Sequence, residues 1–102
     1  MNRLTSWDDF WPWYLEEHSD PRNQWLHVLA VITNVVITAT ALISGRWALL
    51  LVGPLCAYSM AWTGHLVFQR NVPASIRYPY WSLKAELRMV WLKLRGVLLD
   101  AQ

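Results

Sequence analysis

Two long apolar runs dominate the pattern of the chain. From Leu26 to Ile43 (LHVLAVITNVVITATALI) there is no Asp, Glu, Lys or Arg, and from Trp47 to Phe68 (WALLLVGPLCAYSMAWTGHLVF) there is again none. Only Ser44-Gly45-Arg46 lies between them. Eighteen or more uncharged residues, at about 1.5 Å rise each, suffice for the roughly 30 Å of a bilayer's hydrocarbon core. A helix is the form in which such a run satisfies its own backbone without water. The pattern predicts spans over residues 21–43 and 47–69. So short a turn makes them an antiparallel hairpin.

The flanking segments have a different period. Ser6-Trp7-Asp8-Asp9 has the form of a capping box, with acids in a first helical turn where the helix dipole favours them. It opens a segment over residues 6–18 whose Phe10, Trp11, Trp13, Tyr14 and Leu15 suit a membrane interface. Pro12 predicts a break or restart within it. Asp20 before Pro21 is an N-cap followed by proline at the first helical position, so the first span should begin at Pro21. Gly53-Pro54 should kink or loosen the second span. After Phe68 comes a polar connector with two prolines, and residues 82–99 then read as an amphipathic helix. There Leu83, Leu87, Val90, Trp91, Leu94 and Leu98 recur at spacings of three and four, with Lys84, Arg88, Lys93 and Arg95 between them. A basic amphipathic helix beside a span is suited to anionic lipid. The predicted fold is an all-α membrane protein, one domain over residues 1–102.

Composition supports this picture. The chain is 55% hydrophobic with eight Trp, more than a soluble core of this size needs, and Trp25, Trp47 and Trp62 fall near the span ends as headgroup belts require. A net charge of +2 argues against a nucleic-acid partner. Arg46 is the only base in the turn while eight lie outside the hairpin, which places both termini in the cytoplasm. One cysteine, Cys56, excludes an intramolecular disulfide framework. No signal peptide is expected, since the first apolar run follows an acidic, aromatic segment without a basic leader. Walker loops, Rossmann glycines, HExxH, CxxC and G-x-S-x-G are all missing from the sequence.

The candidate chemistry lies in three histidines. His27 is near the start of the first span and His65 near the end of the second, so an antiparallel hairpin sets both at one depth. His18 precedes the helix start and can fold over the same level. Ionisable residues at membrane depth are costly and mark functional sites. Asn23, Gln69 and Asn71 surround this level and can hold ring N–H groups. Imidazole suits Zn, Fe, Cu or Ni, so the ligand type leaves the metal open. Glu16, Glu17 or Asp20 offers a carboxylate for a two-His–one-carboxylate set. Asn34, on the face of His27, is placed for an interhelical hydrogen bond.

The pattern His18-xxxx-Asn23-xxx-His27 resembles the HxxxxNxxxH motif of the membrane-bound 2-hydroxy fatty acid dioxygenases, the Mpo-like family. The stretch Ala61 to Met89 (AWTGHLVFQRNVPASIRYPYWSLKAELRM) resembles that of its short bacterial members. The resemblance extends from about Phe10 to Met89. It implies an Fe(II)-dependent enzyme of fatty acid α-oxidation in the bacterial inner membrane, shortening a 2-hydroxy fatty acid by one carbon with O2. By position, His18, His27 and His65 match the motif histidines, the expected iron ligands, and Asn23 and Asn71 match its asparagines. The family usually has Glu where this chain has Gln69, often Gly where it has Ala30, and Asp where it has Glu86.

Arg22, Arg70 and Arg77, close in sequence to the histidine level, are candidates to pair a substrate carboxylate. Two spans form a thin scaffold, which favours a homodimer enclosing the site. The alternative is a small non-enzymatic hairpin that binds lipid or a partner protein, with the histidines as interfacial hydrogen-bonders.

Overall fold

Four α-helices carry the computed structural model, which describes residues 3–96: α1 (Trp7–Glu16), α2 (Pro21–Ser44), α3 (Leu49–Gly64) and α4 (Pro79–Leu94). A π-helical turn, His65–Gln69, continues α3, and a 3₁₀ turn, Ala74–Ile76, precedes α4. Among the described residues there is no strand.

α2 starts where its cap requires. The Asp20 carboxylate accepts the Arg22 N–H at 2.8 Å and Pro21 occupies the first helical position. It stops at Gly45, whose φ of 72° is the left-handed conformation that glycine adopts without steric cost. The chain then turns and α3 packs back along α2. Hydroxyls in the two helices bond within their own helix: Thr40 to the Val36 carbonyl, Ser44 to Thr40, Ser59 to Leu55 and Thr63 to Ser59. Asn34 also bonds locally, accepting from the Thr38 hydroxyl at 3.2 Å, and its side chain sits against Gly53 where a Cβ would collide. The interhelical contact at Asn34 is therefore close packing on a glycine and not the expected interhelical hydrogen bond.

Pro21–Ser44 and Leu49–Gln69 are both long and apolar enough to cross a membrane, and little of either is buried inside the protein. Ile43 is 88% exposed and Leu51 71%. A helix in the core of a soluble protein would bury these side chains, so the packing separates this pair from that case.

The other elements gather at the end where α2 begins and α3 ends. Here the structure corrects two expectations. The aromatic segment at the N-terminus is not simply a surface anchor. Phe10 and Tyr14 are fully buried and form a core with Tyr78, Ala85 and Met89, flanked by Trp7, Trp11, Trp13 and Trp81. Nor does Pro12 break α1, which runs unbroken through it. Pro12 is exposed, so the carbonyl it strands one turn earlier has access to solvent.

α4 begins at Pro79, three residues before the expected start, because proline at the first position needs no N–H and presets φ. It packs on α1 and α2 through Ser82, Ala85, Met89, Val90 and Lys93. Leu83, Leu87, Trp91 and Leu94, most of the apolar stripe, stay exposed. The predicted residues 97–99, Leu98 among them, lie outside the described residues.

Candidate metal centre

The three histidines come from three segments and meet at one point. His18 lies in the link after α1, His27 two turns into α2, and His65 opens the π-turn at the end of α3. All three are buried, with ring centroids 4.4–5.1 Å apart and the planes nearly perpendicular to one another. One nitrogen from each lies within 4.8 Å of the others.

Each ring is oriented by its Nδ1. His18 Nδ1–H donates to the Tyr14 carbonyl at 2.7 Å, one helical turn back. His27 Nδ1–H donates to both oxygens of Glu86, at 2.6 and 2.8 Å. His65 Nδ1–H donates to Asn71 Oδ1 at 2.6 Å, and Asn71 is fixed in that orientation because its amide nitrogen donates to the Glu17 carbonyl at 2.9 Å. Since carbonyl and carboxylate oxygens only accept, the proton resides on Nδ1 and the lone pair of each neutral ring on Nε2. Buried His27 Nε2 has no hydrogen-bond partner. A buried polar atom without a partner is expensive, and native proteins retain one where a ligand or ion completes it. Burial pushes the His18 imidazolium well below the usual histidine range, with the neighbouring His27 and His65 adding to the shift. The ring is thereby kept in the neutral form that ligates metals. Three imidazoles with outward-tethered Nδ1 atoms fit a divalent transition metal, and this orienting of ligands by a carboxylate or carbonyl is usual around such ions.

Local structure explains how Asn71 reaches His65. The π-turn admits an extra residue, the N–H groups of Arg70 and Asn71 both return to the His65 carbonyl, and Arg70 takes a left-handed φ of 56°. The chain thus doubles back over the ring of His65. Single π-turns inside α-helices occur often at functional sites.

The other candidates are placed as follows. Asn23 is fully buried beside Gly64, but its amide reaches Gln69 at 3.4 Å and not a histidine. Gln69 accepts the Asp20 N–H at 2.9 Å and donates to Ser19 at 3.0 Å, tying the α1–α2 link to the π-turn. Its contacts are those of a neutral linker, and no imidazole is among them. Of the three proposed ring-holders only Asn71 touches a ring. Arg22 is held by Asp20 at 2.9 Å and lies over the Phe68 ring, while Arg70 and Arg77 are exposed. None of the three lines the cavity beside the histidines.

Three contributors were not anticipated as such. Glu86 holds His27, and Tyr14 donates its hydroxyl to Glu86 Oε2 at 2.8 Å while its ring stacks on His18 at 3.9 Å. Burial first, and Glu86 second, hold the Tyr14 phenol well above its ordinary value, so it remains a donor. Ser82, 6% exposed, has a buried hydroxyl with no partner. A cavity of about 350 Å³ opens at this cluster, with His27, Ser82 and Glu86 at its polar end and mainly apolar side chains beyond. In the sequence Glu86 stood out only by its place in the family pattern, Ser82 only as the start of the amphipathic helix and Tyr14 only as one of several interfacial aromatics.

The model of the family described as 2-hydroxy-palmitic acid dioxygenase Mpo1-like matches residues 4–98, nearly the whole chain. The chain belongs to this family. No match was found among curated proteins or among solved structures. Mpo1-like membership agrees with the histidine pattern, and the family's description names a dioxygenase.

Proposed function

We propose that this Mpo1-like protein is an Fe(II)-dependent dioxygenase that shortens 2-hydroxy fatty acids by one carbon, working in a membrane spanned by α2 and α3. The observation that carries the reading is the buried histidine trio, its Nδ1 atoms tethered outward and His27 Nε2 left without a partner. His18, His27 and His65 hold the ion. Iron bound there supplies the redox chemistry with O2 that no side chain of this chain has.

The protein's own residues do the remaining work. Tyr14, Glu86 and Asn71 fix the rings, and the Glu86 carboxylate offsets part of the ion's charge through His27. The aromatic core beneath the site excludes water from one side. Ser82, with its free hydroxyl at the cavity's polar end, meets the oxygen-bearing head of the acid, which the three arginines do not reach. In the membrane the Lys/Arg asymmetry sets both termini on the cytoplasmic side of a bacterial inner membrane.

The test is metal content after anaerobic purification in detergent, followed by oxygen consumption with 2-hydroxypalmitic acid. Near-stoichiometric iron with acid-dependent oxygen uptake is expected. Well-folded protein that takes up no metal when supplied with Fe(II) would leave a non-enzymatic hairpin as the reading.

A further inference from the structure

The cavity beside the histidines has an architecture of its own. α2 forms its floor, while α3 and α4 both pack on α2 and hardly meet each other. The lining is one face of each helix. On α2, His27 is followed by Ala30, Val31 and Val35, and on α3, His65 is preceded by Ala61, Ala57 and Pro54. These spacings of three and four make one continuous stripe per helix. Each stripe starts at the polar cluster and is mainly apolar away from it, with Asn34 of α2 the polar exception. Ala30, Ala57 and Ala61 are small where bulkier side chains would close the space. Half-exposed Tyr58 and Trp62 of α3 stand opposite exposed Leu83 and Leu87 of α4 at the sides of the opening. Trp62 is held by a hydrogen bond from its indole to Ser75 at 3.2 Å. From His27 to Val35 the floor is about 12 Å long at 1.5 Å per residue.

One feature besides the stripes points to a ligand. Ser82 Oγ is buried and unpartnered, takes no part in holding the histidines, and belongs to a residue that lines this cavity. The space is therefore polar at one end, with unused hydrogen-bonding capacity, and apolar along its length. A cavity of this volume lies within the range of small-molecule sites. Its mouth lies between α3, whose exposed side chains are mainly apolar, and α4, whose exposed face mixes Leu83 and Leu87 with Lys84 and Arg88.

We infer that this groove binds the acyl chain of a single-chain carboxylic acid, which enters from the bilayer between α3 and α4 with its head toward Ser82 and His27. The orientation of the head rests on the proposed function, whereas the groove is read from the packing alone. Ala57 and Ala61 are the specificity-determining residues, since their size sets how much chain the groove admits.

The experiment uses the full chain in lipid nanodiscs, without metal, and a 2-hydroxypalmitic acid bearing a photoreactive diazirine at mid-chain. Labelled positions are mapped by mass spectrometry. Labelling should concentrate on Val35, Ala57 and Leu87 and should drop at least fivefold in Ala57→Leu. Labelling spread over the outward residues of α2 and α3, or undiminished in Ala57→Leu, overturns the inference whether or not the protein binds iron.

A second measurement takes the iron-loaded protein. Ala61→Leu should lower kcat/KM for 2-hydroxypalmitic acid relative to 2-hydroxyoctanoic acid by about tenfold, as small changes in apolar pockets do. Val36→Leu, on the outer face of α2, should leave that ratio unchanged. An unchanged ratio in Ala61→Leu counts against the groove even though turnover upholds the enzyme. Groove labelling in protein that never binds metal upholds the groove and discards the enzyme.

Discussion

The two ends of the molecule are built for different solvents. At the histidine end, Phe10, Tyr14, Tyr78 and Met89 are buried, and buried polar groups such as Gln24 and Lys93 are paired, Lys93 donating to Gln24 at 2.7 Å and Gln24 to the His18 carbonyl at 2.6 Å. At the turn end, the side chains of Leu42, Ile43, Trp47 and Leu51 are apolar and exposed, and hydroxyls bond back into their own helix. The first end closes a core between elements, while the second consists of two helices that leave most of their apolar side chains uncovered. A site placed at the junction can be rigidly held by one end and supplied through the other.

That contrast can be broken most severely at the site itself. His27→Ala should abolish stoichiometric iron binding and oxygen uptake while the helical content persists, as checked by metal analysis and circular dichroism. Retained iron would mean that the trio does not act as one site. The next largest effect concerns the two solvents. Phe10→Ala should destabilise the histidine end by about 3–5 kcal/mol, since it empties a closed core. Leu51→Ala, facing outward, should change denaturation in detergent by well under that, and equal losses at both positions would erase the distinction.

A smaller effect is expected one contact away from the histidines. Glu86→Gln should weaken Fe(II) affinity by about 10–100-fold, the usual result of removing a carboxylate behind a ligating histidine. Glu86→Asp should recover part of it, and metal titration of the two variants separates the loss of charge from the loss of shape.

The smallest effect is a pH dependence. Burial holds the Lys93 ammonium below the usual lysine value of 10.5. Between the folded and unfolded pKa values the unfolded chain therefore binds more protons, so stability rises as pH climbs through that window. Lys93→Met should flatten this rise in denaturation curves taken at increasing alkaline pH.

Much of this arrangement is legible in the residues because strong local rules coincide with it. The uncharged runs, the Asp20-Pro21 start and the Gly45 stop mark α2 and α3, and depth along a hairpin brings His27 level with His65. Tertiary packing decides the rest. Phe10 and Tyr14 look alike whether they meet lipid or protein, and only the docking of α4 shows that they form a core. Pro12 reads as a breaker, but its exposed position makes the lost hydrogen bond tolerable. Leu83, Leu87 and Trp91 form the obvious stripe of α4, yet the helix docks through Ser82, Ala85 and Met89, where the small Ser82 and Ala85 permit close approach and Met89 fills the core. Glu86 was noted only for where it stood in a family pattern. Its pairing with His27 spans 59 residues, and no local periodicity encodes such a distance.

That long-range pairing also ties the histidines to the last helix of the fold. The three histidines lie ahead of it in the sequence, but the acceptor that orients His27 is carried on α4, which follows both long helices. A chain whose α2 and α3 have already met is still unable to hold all three imidazoles in register. The support of the trio is thus complete only with α4 in place, and the arrangement of the histidines depends on far more of the sequence than the hairpin alone.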